Sequence, residues 1–117
     1  MLLNDLFVIH YILLSLNRIE ELTSLAETDI HLFSVCTQAI CFNIIRIGEA
    51  VKKLSQEYTL ENSSQPWKGL AGMRDVLAHK RHIDIYEVWK TVLYDLPSIR
   101  DHCAETLRRY SYENCLV

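Results

Sequence analysis

Residues 73–82, MRDVLAHKRH, combine side-chain types that can carry out chemistry on a phosphate ester. Arg74 supplies a guanidinium that stays charged and binds phosphate through paired N–H donors. His79 supplies an imidazole that can accept and return a proton near neutral pH. Together, and without metal ligands, they suit cleavage of RNA by its own 2′-hydroxyl. His79 would act as general base or acid, and Arg74 would stabilise the charge of the phosphorane.

The spacing of Arg74 and His79 limits how they can share a site. Five residues along an α-helix correspond to about 140° of rotation and about 7.5 Å of rise, so one helix aims them poorly at a single atom. A compact site therefore needs the helix to end near His79, or a second copy of the helix across a twofold axis. Asp75 lies four residues before His79 and is placed to accept the imidazole N–H.

Charge is distributed unevenly along the chain. The net charge is −3, but residues 68–82 carry +3, which leaves −6 on the remainder. The protein as a whole is therefore not an electrostatic nucleic-acid binder, and an anionic partner is expected at the basic segment. Within it we expect Lys80, Arg81 and His82 to contact RNA. A solvated helix end, whose cations offset the helix dipole, would give the same local pattern.

Length and composition predict a single all-α domain. The chain has 117 residues with three glycines and two prolines, which favours a few long helices over many short strands. We expect one domain over residues 1–110, followed by a short tail over residues 111–117. The helices are expected to form an up-and-down bundle of four or five.

Apolar spacing and capping residues place the first two helices. The first runs to about Leu22, and Thr28 or Asp29 caps a second, whose apolar stripe extends from Phe33 to Leu54. That stripe is wide enough to bury one face in the core and the other against a partner.

Turn residues and prolines place the remaining helices. Residues 59–66, TLENSSQP, are typical of a loop, and Pro66 suits the first turn of a third helix. Asp84 is the expected N-cap of a fourth helix, and Pro97 the expected start of a fifth. Trp67 and Trp89 are expected to anchor the core rather than to stack on bases.

The cysteines do not indicate a metal site. Cys36, Cys41, Cys103 and Cys115 lack the paired spacing of zinc ligands, and no other set of metal-binding residue types has ligand spacing. Cys36 and Cys41 are expected to be buried free thiols. The apolar N-terminal run is too short and too polar to span a bilayer. We therefore expect a cytoplasmic protein with no metal, no cofactor and no membrane partner.

Three blocks of the sequence resemble the HepT-like proteins of the HEPN superfamily. They are IIRIGEAVKKLS at residues 44–55, PWKGLAGMRDVLAH at residues 66–79 and VW at residues 88–89, and their order and spacing match across nearly the whole chain. The resemblance implies a small helical toxin of a prokaryotic toxin–antitoxin pair. It also implies a metal-independent endoribonuclease whose cleft forms across a homodimer. The sequence leaves open whether the dimers form a higher oligomer.

The resemblance also implies roles for individual residues. Arg74 and His79 match the catalytic pair, and Asp75 matches the polar residue that commonly supports it. Glu49 lies in a block that the resemblance puts near the cleft, so we expect it as a further supporting residue. The implied partner is a minimal nucleotidyltransferase that acts as the antitoxin.

One position departs from the family pattern. Many HepT toxins have a tyrosine two residues after the histidine, which the antitoxin adenylylates, but here that position is Arg81. Tyr86, the nearest downstream tyrosine, is expected a helical turn away, so we expect no modified tyrosine. An antitoxin that blocks the cleft fits better. The alternative is a non-catalytic HEPN module that binds a nucleotidyltransferase or a nucleotide.

Overall fold

A computed structural model describes residues 3–79 and 83–115, and the side chains of residues 3–79 and 83–110. The helices are α1 (Leu3–Thr28), α2 (Phe33–Val51), α3 (Gln56–Glu61), α4 (Trp67–His79), α5 (Ile85–Lys90) and α6 (Leu96–Cys115). A 3-10 turn, Ile30–Leu32, precedes α2, and a π-helical turn, Thr91–Asp95, joins α5 to α6. No strand occurs in the described part of the chain, which confirms the prediction of an all-α protein.

Helix α2 lies at the centre of the bundle. It packs against α1 on one side and α4 on the other, and α6 packs along α1. The most deeply buried large side chains are seven isoleucines: Ile9, Ile12, Ile19, Ile40, Ile44, Ile47 and Ile99. Cys36 and Cys41 are buried free thiols, as predicted, and Cys103 is a third. Removal of this β-branched apolar surface from water is the main force that holds the helices together.

The segment Ile30–Val51 is, by length and composition alone, apolar enough to cross a membrane, with a mean hydropathy of 1.5. It contains α2, ten of whose residues are buried within the bundle. A helix at the centre of a helical core passes the same test of composition, because it is apolar on more than one side.

Helix α1 is longer than the sequence pattern predicted. It continues past Leu22 to Thr28, because Leu22 and Ala26 extend the buried stripe that begins at Leu6. The predicted cap at Asp29 is confirmed, since its Oδ1 accepts the His31 N–H at 2.9 Å. It caps the 3-10 turn that leads into α2 rather than α2 itself.

The prediction for residues 52–66 was partly wrong. Helix α2 ends at Val51, before Leu54, and residues 59–61 of the predicted loop belong to α3. The Ser55 hydroxyl explains the new helix, because it caps α3 by accepting the Tyr58 N–H at 3.1 Å. Helix α4 then begins directly after Pro66, as the sequence predicted.

The prediction that Pro97 begins a separate helix was also wrong. Asp84 caps α5 as expected, accepting the Tyr86 N–H at 3.0 Å, but α5 runs without interruption into α6. Proline has no N–H and its ring crowds the carbonyl four residues back. The π-helical turn widens the helix just before Pro97, with the Leu96 N–H donating to the Thr91 carbonyl, so the helix continues through the proline.

Both tryptophans pack within the bundle rather than projecting from it. Trp67 is buried and donates its indole N–H to the Asn62 carbonyl at 3.0 Å, which confirms its predicted role. Trp89 is half-buried, lies parallel to the Phe33 ring, and donates to the Thr37 hydroxyl at 3.1 Å. The hydrogen bond from Trp89 to Thr37 holds α5 against the start of α2.

A buried carboxylate connects the start of α1 to the turn that follows α2. Asp5 is 1% exposed, and its two oxygens accept the Ser55 N–H at 2.8 Å and the Ser55 hydroxyl at 2.7 Å. Because the same hydroxyl caps α3, Asp5 fixes the turn that follows α2. This turn begins at Lys52, which lies in the candidate site described below.

Asp5→Ala should lower the free energy of unfolding by about 1–3 kcal/mol, because it leaves the part-buried Ser55 N–H without its acceptor. Chemical denaturation measures the change. The control Glu21→Ala removes an exposed carboxylate from the same helix and should change stability by less than about 0.5 kcal/mol. Equal stabilities of the two variants would contradict the role given to Asp5.

Candidate active site

The candidate site is centred on an ion pair between α2 and α4. The Arg74 Nε donates to Glu49 Oε1 at 2.9 Å, and Nη2 donates to the same oxygen. The Arg74 side chain is 23% exposed, against 51% for Glu49. The guanidinium is therefore held in one orientation and still faces solvent, where an anionic substrate can reach it.

Gly48 allows the two helices to approach closely beside this ion pair. A Cβ atom at position 48 would lie 2.7 Å from the Leu70 carbonyl oxygen and would also collide with the Arg74 Cβ. Real Cβ atoms do not approach other atoms so closely. The absence of a side chain at Gly48 thus brings the base of Arg74 against α2, within reach of Glu49.

Asp75 lies between two cations. Its Oδ1 accepts from Arg74 Nη1 at 3.1 Å and from Lys52 Nζ at 2.9 Å. The sequence predicted a contact between this carboxylate and the His79 imidazole. Among the described residues it pairs instead with Arg74 and Lys52, because α2 brings the Lys52 ammonium to the α4 surface.

His79 is the last residue of α4 and is exposed. Its Nε2 lies 3.5 Å from Arg74 Nη1, at the outer limit of a hydrogen bond. A guanidinium only donates, so a hydrogen bond in this contact has Nε2 as its acceptor. In the described part of the chain, the long arginine side chain spans the distance between the two residues along α4.

The contacts shift the pKa values of all three paired groups. Hydrogen bonds from Arg74 lower the pKa of the Glu49 carboxyl. Those from Lys52, and secondarily from Arg74, lower the pKa of Asp75. In return Glu49, and then Asp75, raise the pKa of Arg74. Near neutral pH the site therefore holds two carboxylates and two cations beside one imidazole.

The structure brings together four of the residues that the sequence singled out: Arg74, Asp75, His79 and Glu49. The predicted RNA contacts Lys80, Arg81 and His82 lie outside the described residues. Sequence reasoning missed Lys52, although its position three residues after Glu49 places both side chains on one face of a helix. In the described part of the chain, no three His, Cys, Asp or Glu side chains come together where they could hold a metal ion.

The model of one protein family, described as ribonuclease HepT-like, matches residues 12–106 of the chain. This match covers α2 to α5 in full and the greater part of α1 and α6, and it includes the whole cluster around Arg74. The chain belongs to the HepT-like ribonuclease family. Membership confirms the resemblance found in the sequence and implies RNA as the substrate class.

Relatives in several organisms carry matching names. The chain is 34% identical over 92 residues to "Putative RNase TTE0752" of Caldanaerobacter subterraneus subsp. tengcongensis, covering 78% of this chain and 82% of that protein. It is 35% identical over 71 residues to "Probable ribonuclease HepT" of Thermococcus cleftensis, covering 56% and 64% of the two chains.

A third relative is longer than this chain. "Gamma-glutamylcyclotransferase and putative RNase MJ0434" of Methanocaldococcus jannaschii is 34% identical over 95 residues, which cover 80% of this chain but 43% of that protein. No solved structure matches the chain.

Arg74→Ala should raise the pKa of the Glu49 carboxyl toward the ordinary glutamate value, because the hydrogen bonds that favour its ionised form are lost. Carboxyl carbon chemical shifts followed through an acid titration measure this pKa. Glu105 is the internal control, since Arg108 and Arg109 hold its pKa at about 2, and it should not move. A Glu49 titration that is the same in wild type and variant would contradict the ion pair.

Proposed function

We propose that this protein is a metal-independent endoribonuclease that cleaves RNA in a cleft completed by a second copy of the chain. The observation that carries the proposal is the Arg74 guanidinium, held by Glu49 through two nitrogens, with its Nη1 3.5 Å from His79 Nε2. A fixed cation beside an imidazole lone pair is what transfer within a phosphodiester requires.

In the proposed reaction the His79 Nε2 takes the proton of an RNA 2′-hydroxyl. The 2′-oxygen then attacks the adjacent phosphorus, and the bond from phosphorus to the 5′-oxygen breaks. The second copy's His79, in its protonated form, returns a proton to the leaving 5′-oxygen. Arg74 stabilises the negative charge of the phosphorane. The products are a 2′,3′-cyclic phosphate and a 5′-hydroxyl. The reaction as written needs no oxidant and no metal.

An exposed apolar surface beside the site supports the proposed dimer. We call the side chains Phe7, Tyr11, Leu14, Val35 and Phe42 the α1–α2 outer face. Phe7, Val35 and Phe42 are each about 60% exposed, and contiguous apolar surface of this kind commonly marks an interface. Glu49 lies seven residues after Phe42, on the same side of α2. A second copy packed on this face would therefore approach the Glu49–Arg74 pair.

A groove makes the surface continuous with the candidate site. It has a volume of about 450 Å³, and its lining includes Phe7, Phe42, Arg46 and Glu49. The Arg46 guanidinium stacks over the Tyr11 ring at 5.2 Å and the Phe42 ring at 5.6 Å. This arrangement fits the expectation that α2 buries one face in the core and the other against a partner.

The same proposal includes a place in a toxin–antitoxin pair. The ribonuclease would arrest growth when expressed alone, and a minimal nucleotidyltransferase would neutralise it. Arg81 stands where many family members have the tyrosine that is modified, so we propose neutralisation by a protein that blocks the cleft. The competing proposal, a non-catalytic module that docks a nucleotidyltransferase, is less well supported because Arg74, Asp75 and His79 are all present.

Wild-type protein should cleave single-stranded RNA in the presence of EDTA and leave 2′,3′-cyclic phosphate ends. Arg74→Ala and His79→Ala should each lower the rate by about 100-fold or more, because each removes a group that acts in the transition state. The matched controls Arg109→Ala and His31→Ala change exposed residues of the same types elsewhere and should retain activity.

Cleavage that requires added metal, or that persists in both site variants, would contradict the proposed reaction. Expression in a bacterial host separates the two candidate functions. Growth arrest by the wild type but not by His79→Ala supports the toxin, whereas RNA left intact by pure wild-type protein supports the docking module.

Phe42→Asp should convert a dimer to monomers and abolish cleavage, because it places a charge at the centre of the α1–α2 outer face. Sedimentation velocity gives the mass, and circular dichroism confirms that the helices remain. Tyr94→Asp, at an aromatic side chain that is 77% exposed on another surface, is the matched control and should remain dimeric. A monomeric wild type, or a monomeric variant with full activity, would contradict the composite cleft.

A further inference from the structure

Lys52 is the one member of the charged cluster to which neither the family match nor the proposed reaction gives a role. It follows the last residue of α2, and its ammonium lies 2.9 Å from Asp75 Oδ1. The Lys52 side chain is 45% exposed, so its contact with Asp75 lies at the protein surface rather than in the core. Asp75 Oδ1 is thus shared between Lys52 and Arg74.

The donors of Arg74 are nearly all occupied in this arrangement. Nε and Nη2 donate to Glu49, and Nη1 donates to Asp75 while facing His79. The position beside both Nη1 and the imidazole is where a phosphate oxygen must lie for the proposed reaction. The Asp75 carboxylate therefore occupies one of the two Nη1 donors that a phosphate oxygen there could use.

A phosphate that uses the Nη1 donor bound by Asp75 must displace the carboxylate from Arg74. Glu49 holds Arg74 from the opposite side through two other donors, so the guanidinium keeps its place during the exchange. The released carboxylate would then lie close to the phosphate, and the two like charges would repel. An ammonium that keeps its own contact with Asp75 reduces this repulsion.

We propose that Lys52 is a positioning residue that holds the Asp75 carboxylate aside while an RNA phosphate takes its place on Arg74. This inference rests on the proposed function, since it assigns the anion at Arg74 to RNA. It makes Asp75 a competitor of the substrate, and it makes Lys52 the residue that sets how strongly Asp75 competes. The role is specific to Asp75 and differs from a general attraction of RNA to positive charge.

The test is a double-mutant cycle between Lys52 and Asp75, read as affinity. The probe is a fluorescein-labelled single-stranded oligonucleotide of 2′-deoxynucleotides, which cannot be cleaved by transfer to a 2′-oxygen. Fluorescence anisotropy at fixed ionic strength gives its Kd. Lys52→Ala should raise the Kd by about threefold to fivefold, the size expected for loss of an exposed ion pair. In an Asp75→Asn background the same substitution should change the Kd much less.

Two further variants separate positioning from charge. Lys52→Arg keeps a cation that can hold Asp75 and should restore most of the affinity in the wild-type background. Lys53→Ala is the matched control, because it removes the same charge one residue away and should change the Kd by the same factor in both backgrounds. Thermal unfolding of each variant verifies that the fold is retained.

A Lys52→Ala effect that is equal in the two backgrounds would overturn the inference, because it would show general electrostatic attraction. RNA cleavage assays on the same proteins test the proposed reaction separately from the role of Lys52. Wild-type protein that binds the oligonucleotide but does not cleave RNA contradicts the proposed reaction, while the cycle still tests Lys52. Wild-type protein that does not bind contradicts both.

Discussion

The close approach of α2 and α4 at Gly48 is the constraint on which the candidate site depends. It sets the base of Arg74 against α2, so that the guanidinium reaches Glu49 with two of its nitrogens. An arginine free to rotate would lose side-chain entropy on binding a phosphate. Here the Arg74 side chain already loses this entropy during folding, because α4 packs against α2, whose Ile44 and Ile47 are buried.

The rest of the bundle supports this contact. The isoleucine core fixes α2 between α1 and α4, and Asp5 holds the turn after α2, where Lys52 lies. The site itself stays exposed because its members are charged and remain hydrated.

The sequence was sufficient to predict the class of fold, and it singled out four residues that the structure brings together in the candidate site. Periodicity identified the long helices, and the Arg74 and His79 side chains drew attention by their type. The partners of Asp75 could not be predicted, because Lys52 is 23 residues away and the contact depends on the register of two packed helices. Local rules predicted a helix start at Pro97, but burial of Val92, Leu96 and Ile99 holds that segment in one continuous helix.

A single chain shows half of the proposed cleft. It has one imidazole, one arginine and an apolar face directly beside them, and the proposed reaction takes its second proton-transfer group from another copy. Cleavage would then depend on formation of the dimer. A protein partner that covers the α1–α2 outer face would prevent dimer formation and therefore cleavage. Control by steric blocking would then need no modified tyrosine.

The most direct test of the composite cleft is a subunit-mixing measurement. Wild-type chains and chains that carry both Arg74→Ala and His79→Ala are unfolded together, refolded at a constant total concentration, and assayed for RNA cleavage at each ratio. If the two copies form one cleft, activity follows the square of the wild-type fraction and falls to about one quarter in an equal mixture. Activity that stays proportional to the wild-type fraction, at about one half in an equal mixture, would contradict the account.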